Sequence, residues 1–172
     1  MFAEQLDFIY FFYGAAFVLL GAVCLALFRP SPDRPSLSWL GLGLFGVVHG
    51  IHEWLAMVAV CLGDTPAFRS VRLAVLFLSF FFLVEFARAG WERLSGSRLP
   101  RWLYGLVLPA VSLGLLGGTV GAEIVMRTIL GLGGALGAAA LLSRYSRHRD
   151  VTSSLSGWSL RVAAAGVDLI RV

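Results

Sequence analysis

The sequence predicts an all-α fold, a polytopic bundle of transmembrane helices, and three observations carry that prediction. Hydrophobic residues make up 58% of the 172, charged residues 14%, and the mean hydropathy is +0.83, which is far more apolar than a water-soluble domain. Apolar runs of about 20 residues, the length a helix needs to cross the hydrocarbon core, recur along the chain between connectors rich in proline, glycine and arginine. The 14 basic residues are all arginine and lie mainly in alternate connectors, a distribution that orients a membrane protein rather than one that grips nucleic acid.

The first run, about 8–28, stops at Arg29-Pro30-Ser31-Pro32-Asp33-Arg34-Pro35-Ser36, which cannot continue a helix. The second, about 37–62, ends in the tight turn Gly63-Asp64-Thr65-Pro66, and the third, about 69–90, runs into the polar loop Ser95-Gly96-Ser97-Arg98-Leu99-Pro100. Runs four and five, about 102–121 and 122–143, nearly fuse through Gly117-Gly118-Thr119-Val120-Gly121. Together they are too long for one span, so a hairpin is predicted there. A sixth run, 158–172, begins but does not reach spanning length, so residues 1–172 read as one transmembrane domain belonging to a longer polypeptide.

Orientation follows from the arginines. Connectors one, three and five hold Arg29, Arg34, Arg88, Arg93, Arg98, Arg101, Arg144, Arg147 and Arg149, whereas connectors two and four and the N-terminus hold only Arg69 and Arg72. The positive-inside rule places the odd connectors in the cytoplasm and the N-terminus outside. Trp39, Trp91, Trp102 and Trp158 then fall at the cytoplasmic interface, where indole rings are favoured. The start of the chain has no basic segment and no small-residue cleavage site, so the first helix reads as a reverse signal-anchor rather than a removed leader. The expected location is a bacterial inner membrane, crossed several times. Cys24 and Cys61 belong near opposite membrane faces, too far apart for a disulfide.

Several chemistries are excluded by composition. No lysine is present for a Schiff base, and no asparagine for a glycosylation sequon. There is no Walker loop, H-E-x-x-H, nucleophile elbow or kinase signature, so no enzymatic module is predicted. Gly41-Leu42-Gly43-Leu44-Phe45-Gly46 matches G-x-G-x-x-G, but it follows no strand and reads as helix packing.

The informative segment is Phe45-Gly46-Val47-Val48-His49-Gly50-Ile51-His52-Glu53-Trp54. Two imidazoles and a carboxylate in an apolar helix are costly against lipid, and such residues mark functional sites by default. Gly43, Gly46 and Gly50 form a small-residue stripe beside them that lets another helix come close. The predicted topology sets Glu53 and Arg127 in the same outer half, with Glu53 the best-placed partner for Arg127. Asp7, Tyr10 and Tyr13 on the first helix and Arg72 on the third lie at a similar level. The expectation is an outer-leaflet ligand pocket built from Asp7, Tyr10, Tyr13, His49, His52, Glu53, Arg72 and Arg127. Its alternatives are an interhelical network that only fixes packing and proton sensing or relay, since His49 or His52 can titrate between about pH 5 and 8. Metal binding is not assigned: His49 and His52 are the candidates, but three ligands from one helical turn seldom converge on an ion. Haem is disfavoured because both membrane histidines share a helix and His148 sits in a loop. Gly133 and Gly137, with Gly131, Gly134 and Ala138, predict a second tight contact surface. Its partner is another helix of the chain or of a second copy, making a homodimer or a larger assembly in the bilayer. Glu85 is predicted to pair with Arg88.

The His49-Gly50-x-x-Glu53-Trp54 block, the Gly63-Asp64-x-Pro66 turn, and Arg72-Leu73 followed by Leu83-x-Glu85-Phe86 resemble the multi-helix N-terminal membrane region of some bacterial sensor histidine kinases and diguanylate cyclases. That resemblance implies signal reception, relayed to cytoplasmic output modules. The chain is also similar, more distantly, to the copper-bearing membrane domain of ethylene receptors, in which a cysteine precedes the histidine by one turn. Phe45 stands at that position here, which argues against copper. The runner-up function is a structural or accessory subunit of a larger membrane complex.

Overall fold

The computed structural model describes residues 5–27, 37, 39–97 and 103–146. All of its regular elements are helices: α1 (Leu6–Leu27), α2 (Trp39–Leu62), α3 (Pro66–Ser95), α4 (Leu103–Leu116) and α5 (Gly118–Ser146). Four of them, α1, α2, α3 and α5, are long and apolar enough to cross a membrane. The sixth predicted run, together with Trp102, Trp158 and His148, lies outside the described residues.

Helix boundaries follow local chemistry. The α2–α3 turn uses Gly63 at φ +95°, and Thr65 then caps α3, its Oγ1 accepting the Phe68 N–H at 3.3 Å, with Pro66 filling a first-turn position that needs no donor. Gly96, left-handed at φ +67°, closes the far end of α3 by donating to the Glu92 carbonyl. These caps make α3 30 residues long, longer than the predicted 69–90. Its last turns leave the apolar region on polar pairs: Arg88 bridges Glu85 and Glu92 at 2.6 Å each, and Arg144 of α5 lies 5.2 Å over the Trp91 ring. The predicted Glu85–Arg88 pair is therefore present.

The α4–α5 hairpin is also present, but its parts differ from the prediction. Gly118 at φ +72° breaks the chain early, so α4 ends at Leu116 and α5 begins at Gly118 rather than 122. Its 14 described residues are about 21 Å long. The start of the predicted fourth run, at 102, lies outside the described residues.

α1 packs on α2, α2 on α3, α3 on α5, and α4 on α5. The large side chains of α1, among them Phe8, Ile9, Phe12, Leu19 and Val23, point outward, as lipid-facing residues should. The core lies between α2, α3 and α5, around Phe45, Leu76, Phe80, Leu83, Phe86, Met126, Leu130 and Leu141.

The α1–α2 contact is a backbone contact. A Cβ at Gly46 would lie 2.7 Å from the Gly21 nitrogen and the Phe17 carbonyl oxygen, and one at Gly50 would lie 2.6 Å from the Gly14 carbonyl oxygen. Gly43 faces Leu25 in the same seam. The predicted stripe thus has α1 as its partner, with Gly14 and Gly21 as counterparts.

The second surface is shifted by comparison with the prediction. Gly131, Gly134 and Gly137 face Phe80, Leu83 and Ala87 of α3, whereas nothing lies within 4 Å of a Cβ built on Gly133. The cause is visible in α5, where Ala122, Met126, Leu130, Gly134 and Ala138 are all buried. A period of four would drift about 40° per step on a regular α-helix. The π-helical segment Met126–Leu132 widens the turns and holds the stripe on α3.

Candidate functional site

The apolar interior between α2, α3 and α5 encloses a polar cluster. His49, His52 and Glu53 are 4%, 2% and 2% exposed, and Ser79 on α3 is fully buried beside them. The i, i+3 and i+4 spacing puts all three α2 side chains on one side of the helix, bordering the glycine seam, with His49 against Phe17 of α1.

His52 is held in one tautomer. Its Nδ1 donates to the Arg72 carbonyl at 3.1 Å, because a carbonyl can only accept, and Nε2 therefore accepts from Arg127 Nη2 at 3.3 Å. His49 sits in an aromatic cage, with ring centroids of Phe17, Phe45 and Phe80 at 4.5, 5.2 and 5.4 Å. Its Nδ1 lies 3.1 Å from Ser79 Oγ and its Nε2 lies 3.4 Å from Glu53 Oε1. Glu53 Oε1 has no hydrogen-bond partner of good geometry among the described residues.

The predicted pairing of Arg127 with Glu53 is not what the structure shows. Arg127 makes its ion pair one turn back on its own helix, with Glu123 at 3.0 Å, and reaches α2 at His52. Local i, i+4 geometry satisfies it at lower conformational cost than a bond across the bundle. Arg72 contributes its backbone carbonyl to the cluster, while its Nη2 binds Asp64 Oδ2 at 2.7 Å. Asp64 also receives Arg69 Nε at 2.9 Å. The hydrogen bond from Arg69, with Arg72 beside it, holds the Asp64 carboxyl below its usual range.

The α1 contribution is smaller than predicted. Asp7 is exposed and accepts the Phe8 N–H at 2.8 Å in the first turn of α1. Phe11 of α1 stacks on Trp54, so Asp7 lies about a turn above the level of Glu53. Tyr10 is partly buried and makes no hydrogen bond to the cluster among the described residues. Tyr13 is half-exposed and set edge-on to Phe17, close enough to Glu53 and Arg127 to interact with both charges. Asp7 and Tyr10 therefore make no hydrogen bond to the cluster among the described residues, and Tyr13 stands at its edge.

Among the described residues no group of three His, Cys, Asp or Glu is placed to share a metal ion. The four ring nitrogens of His49 and His52 face four different partners, and the two rings, 5.9 Å apart on one helix, cannot clamp a haem from both faces. Cys24 is buried and free, and Cys61 is exposed and free.

Sequence reasoning missed Ser79, Glu123 and the aromatic cage. Ser79 is seven residues from Arg72 and so shares its α3 face, and Glu123 precedes Arg127 by four, so both carried a helical-spacing signal. A shallow apolar groove of about 390 Å³, lined by Phe11, Ile51, Trp54, Leu55, Met57 and Val58, lies on the other side of α2 and does not open onto the cluster. Comparison with protein-family models, with curated proteins and with solved structures finds no match.

Proposed function

We propose that this chain is the membrane-embedded sensory region of a bacterial signal-transduction protein, recognising a small ligand at the polar cluster and relaying a helix rearrangement to cytoplasmic output modules. In this reading the protein crosses the inner membrane with its N-terminus, the α2–α3 turn and the α4–α5 turn outside. The arginine distribution supports that orientation, and the hydrogen bond from Arg69 to Thr119 joins the two turns at one end of the bundle, as a shared side requires.

One observation carries the reading: Glu53 is buried deep in the bundle, and its Oε1 has only a 3.4 Å contact with His49 Nε2 and no hydrogen bond of good geometry among the described residues. A network kept only for packing closes its hydrogen bonds, since an unmet buried polar atom costs about 1–3 kcal/mol. Glu53 and Arg127 each stand nine residues from the outer ends of their helices at Leu62 and Gly118, roughly 13 Å in, where helix arrangement and charge are coupled. The resemblance of the His49–Trp54 block to sensor membrane regions points the same way. The test is signalling output in cells. His49→Ala and Glu53→Gln should each abolish it while the protein stays folded and inserted, and normal output from both refutes the reading.

A second reading, an accessory subunit of a membrane complex, draws on the local pairing of Arg127 with Glu123 and of Arg72 with Asp64. These pairs neutralise both arginines without a ligand. It predicts stoichiometric partner subunits after detergent extraction.

A further inference from the structure

The His49–Glu53 pair admits two proton counts. Ser79 Oγ carries one hydrogen. When that hydrogen goes to the Leu76 carbonyl at 2.8 Å, the hydroxyl can only accept from His49, so Nδ1 is protonated. Nε2 then meets Glu53 Oε1 at 3.4 Å. A bare imidazole nitrogen and a bare carboxylate oxygen would set lone pair against lone pair, so this arrangement needs a proton between them. When the Ser79 hydroxyl turns to Nδ1 instead, the ring takes its other tautomer, and neutral His49 presents its Nε2 hydrogen to ionised Glu53 across the 3.4 Å contact, which tightens to make the bond. The two arrangements differ by one proton.

The surroundings make that proton matter. Tyr13 faces Glu53 from α1, His52 lies beside the pair on α2, Arg72 acts from α3, and Arg127 and Glu123 act from α5. His52 is excluded as the titrating group by its own contacts, because protonated Nε2 would point a hydrogen at the Arg127 guanidinium. Three buried polar atoms have no partner among the described residues: Glu53 Oε1, Arg72 Nε and Asp64 Oδ1. They run from the pair toward the α2–α3 turn, where water completes such groups.

We propose that the recognised ligand is the proton: His49 and Glu53 form one proton-binding site, filled from the α2–α3 end of the bundle, and emptying it leaves a negative charge in the interior. The site rests on the sensory reading for its biological use. A proton shifts the bundle only to the extent that the two helix arrangements bind it unequally. The emptied site supplies that inequality by drawing the cations Arg127 and Arg72 toward α2.

The test is a pH titration of the full chain in lipid vesicles. Infrared difference spectra should show one carboxyl-and-imidazole transition, lost in Glu53→Gln and displaced at least tenfold in proton concentration in His49→Gln. Nitrogen NMR of the unmutated protein, which needs no variant to fold, should show His49 changing protonation pattern while His52 keeps its hydrogen on Nδ1. A His49 signal that is constant over the pH range in which the protein stays folded overturns the proposal, and so does a transition that survives Glu53→Gln. Output lost in both variants with no transition removes the proton and leaves the sensory reading. A transition without any effect of the variants on output removes the sensory reading and leaves the proton site.

Discussion

Gly46→Ala is the sharpest test of the packing. The added methyl carbon would stand 2.7 Å from the Gly21 nitrogen and from the Phe17 carbonyl oxygen, against about 3.4 Å for the closest ordinary contact. Both obstacles are backbone, so no rotamer change relieves them, and α1 must retreat from α2 by about 0.7 Å. A gap of that size forfeits roughly a quarter to a half of the dispersion attraction along the seam. Overpacking of this kind costs about 1–3 kcal/mol, and with two backbone clashes the upper end applies. The gain in helix propensity from glycine to alanine returns at most about 1 kcal/mol, which leaves a net loss near 2 kcal/mol. The retreat also lifts Phe17 from the His49 ring, now 4.5 Å away, so loss of signalling should accompany it. Reversible unfolding in mixed micelles, followed by helical circular dichroism, measures the effect. Gly133→Ala is the control, since nothing surrounds that position, and it should be neutral or slightly stabilising. Equal stability of Gly46→Ala and the unmutated protein would refute the reasoning.

Other substitutions probe the polar cluster. His52→Phe removes the acceptor for Arg127 and the donor to the Arg72 carbonyl, and should cost about 2–4 kcal/mol for two unmet groups, with His52→Gln recovering part of it in the same assay. Ser79→Ala deletes the partner of His49 Nδ1 and should cost about 1 kcal/mol. At the α2–α3 turn, the contribution of Asp64 is complete above the usual carboxylate pKa of about 4 and is lost as pH falls through its lowered value. Asp64→Asn should therefore flatten the acid arm of the stability profile, and superimposable acid arms would contradict the Arg69–Asp64–Arg72 arrangement.

Much of the architecture was legible because the bilayer imposes simple rules. Run lengths located α1, α2, α3 and α5, and the Gly63–Pro66 and Gly117–Gly121 segments marked turns that the structure also has. The glycine stripe of α2 was legible, but its partner was not, because Gly14 and Gly21 stand alone seven residues apart and are defined only by what they oppose. Within the site, His49, His52, Glu53, Arg72 and Arg127 were found by their cost in an apolar helix, and all of them do gather. The pairing was not legible. Depth alone made Glu53 the partner of Arg127, whereas i, i+4 spacing gave Glu53 to His49 within α2 and Glu123 to Arg127 within α5, and the register between the two helices gave Arg127 to His52. Asp7 shows the same limit: a similar level in a topology diagram still allowed a full turn of error.

The π-helical segment of α5 has a consequence for the length of the chain. From Ala122 to Ala138 the inward stripe takes sixteen residues over four repeats, where a regular helix would use about 14.4, so α5 carries at least one residue that its packing against α3 does not require. Deleting one residue between Met126 and Leu132 would let the segment revert to a regular helix. Met126 and Gly134 would then stand seven residues apart, within about 20° of two full turns, so Glu123 and Arg127 would stay near His52 while Gly134, Ala138 and Leu141 kept their places against α3. Sequence length at this point is thus a setting of the site: one residue fewer is tolerated in nearly the same register, whereas one more would turn the N-terminal side by about 100° and carry Glu123 and Arg127 away from His52 without touching any residue that forms the cluster.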